Sequence, residues 1–279
     1  MVIAIPGAVI RNSGCLQKFV EAVAQFVQDG HWITVVQGDE GEAVGRSNWS
    51  QLHASGSNSQ AGNGTNGASA SMFDKVANTG RLLAAHLAIL KVCGLAMVAS
   101  DADLCRLRKR PGKESRNSAA EICSVNTRWL DIICSHKGVP VISNIALSAW
   151  GESYSLDLNH LAAKCAIHWN ADSLTYLTDE DGVTDHQGDV IRWFDVRDVE
   201  QLSAGCQAQN MVARLKTCKE ALEGGVHRIR MMPVSAIEHL SSFYSAKIDY
   251  GTEVIAASGL RAMRAVPQKA KSFSRGHQQ

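Results

Sequence analysis

The sequence predicts an α/β fold with a mostly parallel central sheet sandwiched between helices, and three observations predict it. Short apolar runs of strand character alternate with amphipathic runs of helical spacing. Most amphipathic runs close at or near a glycine that leads straight into the next apolar run. Strands separated by helices cannot pair as hairpins, so the chain crosses over between them, which makes them parallel and covers both faces of the sheet.

Taken in order, "VIAIPGAVI" (2–10) is a buried strand entering a turn. "CLQKFVEAVAQFVQDG" (15–30) sets Leu16, Phe19, Val20, Val23 and Val27 on one helical face and stops at Gly30. The compact run "HWITVVQG" (31–38) is the next strand. A helix "TGRLLAAHLAILKVCG" (79–94), closed by Gly94, precedes the strand "LAMVAS" (95–100). "NTRWLDIICSHKG" (126–138), closed by Gly138, precedes "VPVISNIAL" (139–147). "DLNHLAAKCAIHWN" (157–170) leads to "SLTYLT" (173–178), and "MVARLKTCKEALEGG" (211–225) to "VHRIRMMP" (226–233). A helix "AIEHLSSFYSA" (236–246) and a last strand "GTEVIAA" (251–257) complete the series. Two segments interrupt it. "HASGSNSQAGNGTNGASAS" (53–71) has the composition of a long loop, and "CRLRKRPGKESRNSAAE" (105–121) is a basic surface excursion. The rhythm resumes after each, so neither marks a domain boundary.

Bulk composition narrows the function classes. With 279 residues, 45% hydrophobic and 20% charged, the chain has the material for a sizeable core. A formal net charge of +1 gives no electrostatic argument for a nucleic-acid polymer or an anionic membrane, and the basic tail "QKAKSFSRGHQQ" reads as a polar chain end. Eight cysteines stand apart with no CxxC pair, and several sit among apolar residues, as in "KVCGLAMV" and "LDIICSHKG", where a buried thiol behaves as a small hydrophobe. Ten histidines form no HExxH or HxH pair, so no zinc site is expected. "MVIAIPGAVIRNSG" lacks a basic start, and no apolar run approaches the roughly 18 residues of a membrane span. The expectation is a reduced, soluble, cytoplasmic protein.

Several segments together resemble the amino-acid kinase family, and within it the acetylglutamate-kinase branch. "ADSLTYLTDEDGV" (171–183) is similar to the family's strand and turn with a Thr-Asp…Gly-Val ending. "GVPVISNIAL…GESYSLDLNHLAAKCA" looks like its Gly-x-Pro-Val strand, glycine and helix start. "MVARLKTCKEALEGGVHRIRMMP" resembles its Met-x-x-Lys helix and the strand after it, and "SAIEHLSSFYSAKIDYGTEVI" the branch's Gly-Thr ending. "LAMVASDADLCR" sits where the branch has a strand and a Gly-x-Asp turn. The resemblance covers most of the chain apart from the two interruptions. It implies transfer of the γ-phosphoryl group of ATP, with magnesium, to a carboxylate of a small amino-acid derivative, in a homodimer. It also implies one kinase-like domain with an acceptor-binding and dimerisation lobe over 1–150 and a nucleotide-binding lobe over 151–279.

Such chemistry needs cations at the transferring phosphate, glycines where backbone meets oxygen, and an acid that orients the cations. The family's first strand carries a lysine followed by Gly-Gly; the matching positions are Ala4, Pro6 and Gly7, so the lysine is absent and Pro6 removes an N–H donor. The family's His-Gly-Gly-Gly turn reads Gln37, Gly38, Asp39 and Glu40, and the two acids are either a metal-bridging pair or an exposed acidic turn. At the helix start, Ser155 and Asp157 fall on the family's asparagines and Asn159 on its organising aspartate, with Asp157 the candidate to substitute. Met211 and Arg214 occupy the Met-x-x-Lys positions, and Lys216 points away from the Arg214 face. Thr178 and Asp179, where the family places nucleotide contacts, are intact. The resemblance thus implies catalytic Arg214, Asn159 and Asp157, nucleotide or phosphate contacts at Gly7, Gly38, Thr178, Asp179 and Met211, and acceptor contacts at Ser155 and Arg81. Arg81 is the nearest candidate for the family's acceptor-gripping arginine, beside the plainer reading of a solvated helix arginine. Two other readings stand beside an active kinase. One is a catalytically inactive homologue that binds a nucleotide or metabolite as a sensor, scaffold or partner subunit. The other is a divergent enzyme of the same fold whose cations come from the basic stretch Arg106 to Lys113.

Overall fold

In a computed structural model, the described residues are 1–38, 47–48, 65–109, 120–147, 152–205, 209–244 and 250–256. The chain opens with strand β1 (Val2–Pro6), a one-turn helix α1 (Gly7–Arg11) and helix α2 (Ser13–Gln28). The Asn12 side chain accepts the Cys15 N–H at 3.1 Å, which starts α2 earlier than apolar spacing predicts. Then follow β2 (Thr34–Gly38), the short β3 (Ser47–Asn48), the long helix α3 (Thr65–Ile89) and β4 (Cys93–Val98). The hairpin β5 (Cys105–Lys109) and β6 (Ala120–Val125) precedes α4 (Arg128–Ser135), β7 (Gly138–Ser143), β8 (Ile145–Leu147) and β9 (Glu152–Ser155). The second half holds α5 (Leu158–His168), β10 (Ser173–Thr178), β11 (Trp193–Asp195), α6 (Val199–Gly205), α7 (Gln209–Glu223) and β12 (Arg228–Pro233). A run of 3-10 turns (Val234–Tyr244), where the sequence predicts a helix, and strand β13 (Thr252–Ile255) end the described chain.

Eight strands form one sheet in the order β11-β13-β12-β10-β1-β2-β7-β4, parallel except that β13 runs antiparallel to β12 and carries β11 with it. The α/β sandwich predicted from alternation is therefore present. Alternation along each strand splits the core into two layers. Val2, Ala4, Val36, Ile142, Leu174 and Tyr176 belong to one apolar cluster with Leu130, Leu161 and Leu215 of α4, α5 and α7. Ile3, Ile5, Val35, Val141 and Leu177 belong to the other with Phe19, Leu83 and Ile237 of α2, α3 and the 3-10 run. The strands of the first half of the chain lie on one side of the β1–β10 pair and those of the second half on the other. The carboxyl ends of β1 and β10 thus flank a point where the winding reverses, where open α/β sheets place their ligands.

The structure departs from the sequence reading in several places. Gly94 and Gly138 do not close helices. The turns are made by Lys91 (φ 64°) and Lys137 (φ 58°), and both glycines already lie in strands. A Cβ at Gly94 would meet the Ala84 backbone at 2.7 Å, so that glycine serves close helix–strand packing. The Ser/Gly/Asn-rich segment is helical from Thr65 onward, and residues 53–64 lie outside the described residues. The two ends of the basic excursion pair as antiparallel strands, with Arg106 on Asp103 and Arg108 on Glu121, and residues 110–119 lie outside the described residues. Cys93 is exposed rather than buried, whereas Cys105, Cys134, Cys165 and Cys218 are buried. Burial pushes the Cys105 and Cys218 thiols up to about 12, so both stay protonated and act as packing groups. No helix among the described residues is long and apolar enough to cross a membrane.

Candidate functional site

Five predicted positions lie toward the carboxyl end of the sheet: Gly7, Gly38, Thr178, Asn159 and Arg214. β1 ends at Pro6 and passes directly into α1 at Gly7; β2 ends at Gly38; β10 ends at Thr178. Helix α5 starts beside them with Asn159 in its first turn. From α7, Arg214 reaches inward with only 1% of its side chain exposed. Its Nε donates to Asn159 Oδ1 at 3.4 Å, and its Nη1 donates to Thr178 Oγ1 and Glu180 Oε2, each at 3.1 Å. The Thr178 hydroxyl donates to the same Glu180 carboxylate and accepts the Glu180 N–H at 3.1 Å. Beneath them the Tyr176 hydroxyl lies 3.2 Å from the Asn159 carbonyl oxygen and 3.1 Å from Thr217 Oγ1, whose own proton goes to the Arg214 carbonyl at 2.8 Å. Burial pushes the Tyr176 phenol well above its ordinary value, so it stays a neutral donor.

The electrostatics follow from this wiring. Partial burial pushes the Glu180 carboxyl up, but the Thr178 hydroxyl and the charge and hydrogen bond of Arg214 outweigh it and hold the group below its usual range. The result is a guanidinium fixed at three points at the end of a central strand. Position 4 faces the same side of the sheet as Tyr176, and Ala4 there is 1% exposed within the apolar cluster. Among the described residues Arg214 is the buried cation of this cluster, where the family resemblance implies a first-strand lysine as well.

Other predicted residues fall elsewhere or are already committed. Asp157 is the N-cap of α5 and accepts the His160 N–H at 2.7 Å, so its carboxylate serves the helix. The Met211 side chain is buried in the apolar cluster. Asp179 is exposed, and Ser155 ends β9, paired in register with Ile145. Arg81 is exposed on α3 and donates to Asn78 Oδ1 at 2.9 Å, the solvated helix arginine of the alternative reading. Lys216 is exposed while Arg214 is buried, as the helical spacing predicts. Gln37 is fully buried and donates to the Val76 carbonyl at 2.9 Å and Ser143 Oγ at 2.6 Å, linking β2 to α3 and β7. A Cβ at Gly38 would overlap the Asn144 amide, which itself donates to the Leu156 carbonyl at 2.7 Å. Gly38 therefore seals the sheet end against the segment leading into α5. Asp39 and Glu40 lie outside the described residues.

Sequence reasoning missed Glu180, Tyr176 and Thr217. Thr217 stands three residues after Arg214 on α7, a spacing that shares a helix face. Glu180 is one of four residues between Thr178 and Val183, three of them acidic, and nothing in their order says which acid turns inward.

A buried cation, a threonine hydroxyl and an asparagine amide at a strand end suit a phosphate group. A magnesium cage is another matter. Among the described residues no group of three or more His, Cys, Asp or Glu side chains could hold a metal ion, and the Glu180 carboxylate is taken by Arg214. Magnesium fits this site only as an ion carried largely by phosphate oxygens and water, its usual manner in kinases.

Comparison with known proteins agrees with this geometry. The model of the amino acid kinase family matches residues 1–232. An acetylglutamate kinase of Koribacter versatilis (strain Ellin345) is 32% identical over 262 residues, 92% of this chain and 98% of that protein. An acetylglutamate kinase of Acidobacterium capsulatum is 33% identical over 262 residues, 92% of this chain and 99% of that protein. Among solved structures, N-acetylglutamate synthase from Neisseria gonorrhoeae, complexed with coenzyme A and N-acetyl-glutamate, superposes with a TM-score of 0.69 at 20% identity. That match covers 91% of this chain and 58% of the synthase, and is a likeness of fold. With its sheet, its strand-end cluster and its near full-length relatives in agreement, the chain belongs to the amino acid kinase family.

Proposed function

We propose that the chain is an acetylglutamate-kinase-like phosphotransferase that moves the γ-phosphoryl group of ATP to a carboxylate of a small N-acylated amino-acid derivative. The observation that carries this reading is the Arg214 guanidinium held at the carboxyl end of β10, in a chain that matches acetylglutamate kinase along 98% of that relative. Arg214 would meet the charge that spreads over the transferring oxygens, with the Thr178 hydroxyl and the Asn159 amide fixing its plane. Gly7, at the β1–α1 junction, brings backbone to the same end of the sheet. Magnesium, brought in with the nucleotide, would offset the charge of its phosphates. The half of the sheet built from residues 1–150 is assigned the acceptor and the half from 151–279 the nucleotide. Edge strand β4 exposes Leu95 and the neighbouring helix α3 exposes Leu82 and Ile89, apolar surface that suits the homodimer contact.

Ala4, in place of a first-strand lysine, is the specific observation that favours a second reading, a homologue that binds nucleotide without turning it over. Calorimetric titration with magnesium-ATP, followed by a coupled ADP assay over a panel of N-acylated amino acids, separates them. Turnover on one acceptor supports the kinase; binding without turnover supports the silent homologue; no nucleotide binding sinks both.

A further inference from the structure

Arg214 is a buried cation in a cluster whose helix-start member, Asn159, is neutral. A guanidinium this deeply buried is strongly unfavourable without a counter-charge. Asp157, the acid nearest in sequence to Asn159, spends its carboxylate on the His160 N–H. Glu180 stands on the other side. Its Oε2 lies 3.1 Å from Arg214 Nη1, the Thr178 hydroxyl donates to the same oxygen, and its own N–H closes the turn onto Thr178 Oγ1. The turn after β10 therefore delivers the acid, with the Glu180 side chain 43% exposed at the mouth of the cluster.

We propose that Glu180 is a positioning residue: from the turn after β10 its carboxylate supplies the counter-charge that Asn159 does not, and so holds the Arg214 guanidinium in place for a phosphate. The acid has moved from the start of α5 to the end of β10, while the Asn159 amide keeps its geometric place on Arg214 Nε. The functional consequence rests on the kinase reading; the location of the counter-charge does not.

The test uses the full chain as Glu180→Gln, Asn159→Asp and the double variant Asn159→Asp/Glu180→Gln, read by the unliganded unfolding midpoint and by calorimetric ATP affinity. Glu180→Gln is expected to lower the midpoint by about 3 °C or more and to weaken ATP binding about tenfold or more. Asn159→Asp in that background places a carboxylate beside Arg214 Nε and is expected to recover most of both losses. Alone, it crowds two acids on one guanidinium and yields less than in the double variant. An unchanged midpoint in Glu180→Gln overturns the counter-charge. A lowered midpoint with unchanged ATP affinity overturns the positioning role, and tighter ATP binding overturns it too, because Glu180 would then be a competitor of phosphate. If the wild-type chain binds no ATP, the kinase reading fails and takes the positioning role with it, while the midpoint series still decides where the counter-charge lies.

Discussion

At Arg214, the proposed chemistry and the stability of the fold fall on one side chain. Its planar fork reaches Asn159, Thr178 and Glu180 at once, which the compact ammonium of lysine cannot do. Arg214→Lys, the residue type implied by the family pattern, is therefore expected to destabilise the fold by about 2 kcal/mol in denaturant unfolding rather than improve it. A lysine at 214 that is stable and active would show that the rest of the site never adapted to arginine. Glu180 carries a pH dependence. Its folded-state value lies below the unfolded 4.5, so its contribution is fully present above about 4.5 and disappears as pH falls through the depressed value. The difference between wild-type and Glu180→Gln unfolding midpoints should be constant near neutrality and close below pH 4.5. A gap that widens on acidification would contradict the pairing. The arginine was legible as a charge at a motif position; its partners were not, because hydrogen bonds between residues 36 and 55 positions apart leave no local pattern.

At the scale of elements, the close of the fold depends on a lock between β12, β13 and the turn after β10. Gly251 sits at φ 70°, and a Cβ there would overlap the Met231 carbonyl oxygen of β12. The next residue, Thr252, accepts the Val183 N–H at 2.9 Å and donates to the Ile191 carbonyl at 2.7 Å, which ties the chain beyond Glu180 to β13. Glu253, fully buried, is clamped by Arg228 at 2.8 Å and Arg230 at 2.9 Å across the antiparallel pair. Gly251→Ala should cost on the order of 2 kcal/mol or more from strain at positive φ alone. Hydrogen exchange should then show residues 182–191 opening before the central strands. Unchanged protection of Val183 in that variant would refute the lock. The Gly-Thr pair was visible as a motif, but its physical cause is a strand passing against a carbonyl that only the paired sheet brings near. The same holds for Gly94, which looks like a helix stop in sequence and is a packing contact in space.

At the scale of the whole molecule, β4 is one of the two edge strands of the central sheet, packed beside helix α3. Ile89 is 72% and Leu95 45% exposed there. If two copies cover this face, Leu95→Arg should shift the chain from dimer to monomer in analytical ultracentrifugation. A variant that remains dimeric would place the interface elsewhere, and a monomeric wild type would overturn the dimer. Alternation of apolar and amphipathic runs settled the α/β sandwich by sequence alone, since a near-continuous apolar run marks a strand buried on both faces and the helical period closes over it. The family was likewise readable from ordered segments such as "SLTYLTDEDGV". Only the tertiary structure decided which charges meet. It assigned Asp157 to a helix cap, Arg81 to solvent and Glu180 to Arg214, because pairing depends on distances across the sheet end that spacing along the chain does not encode.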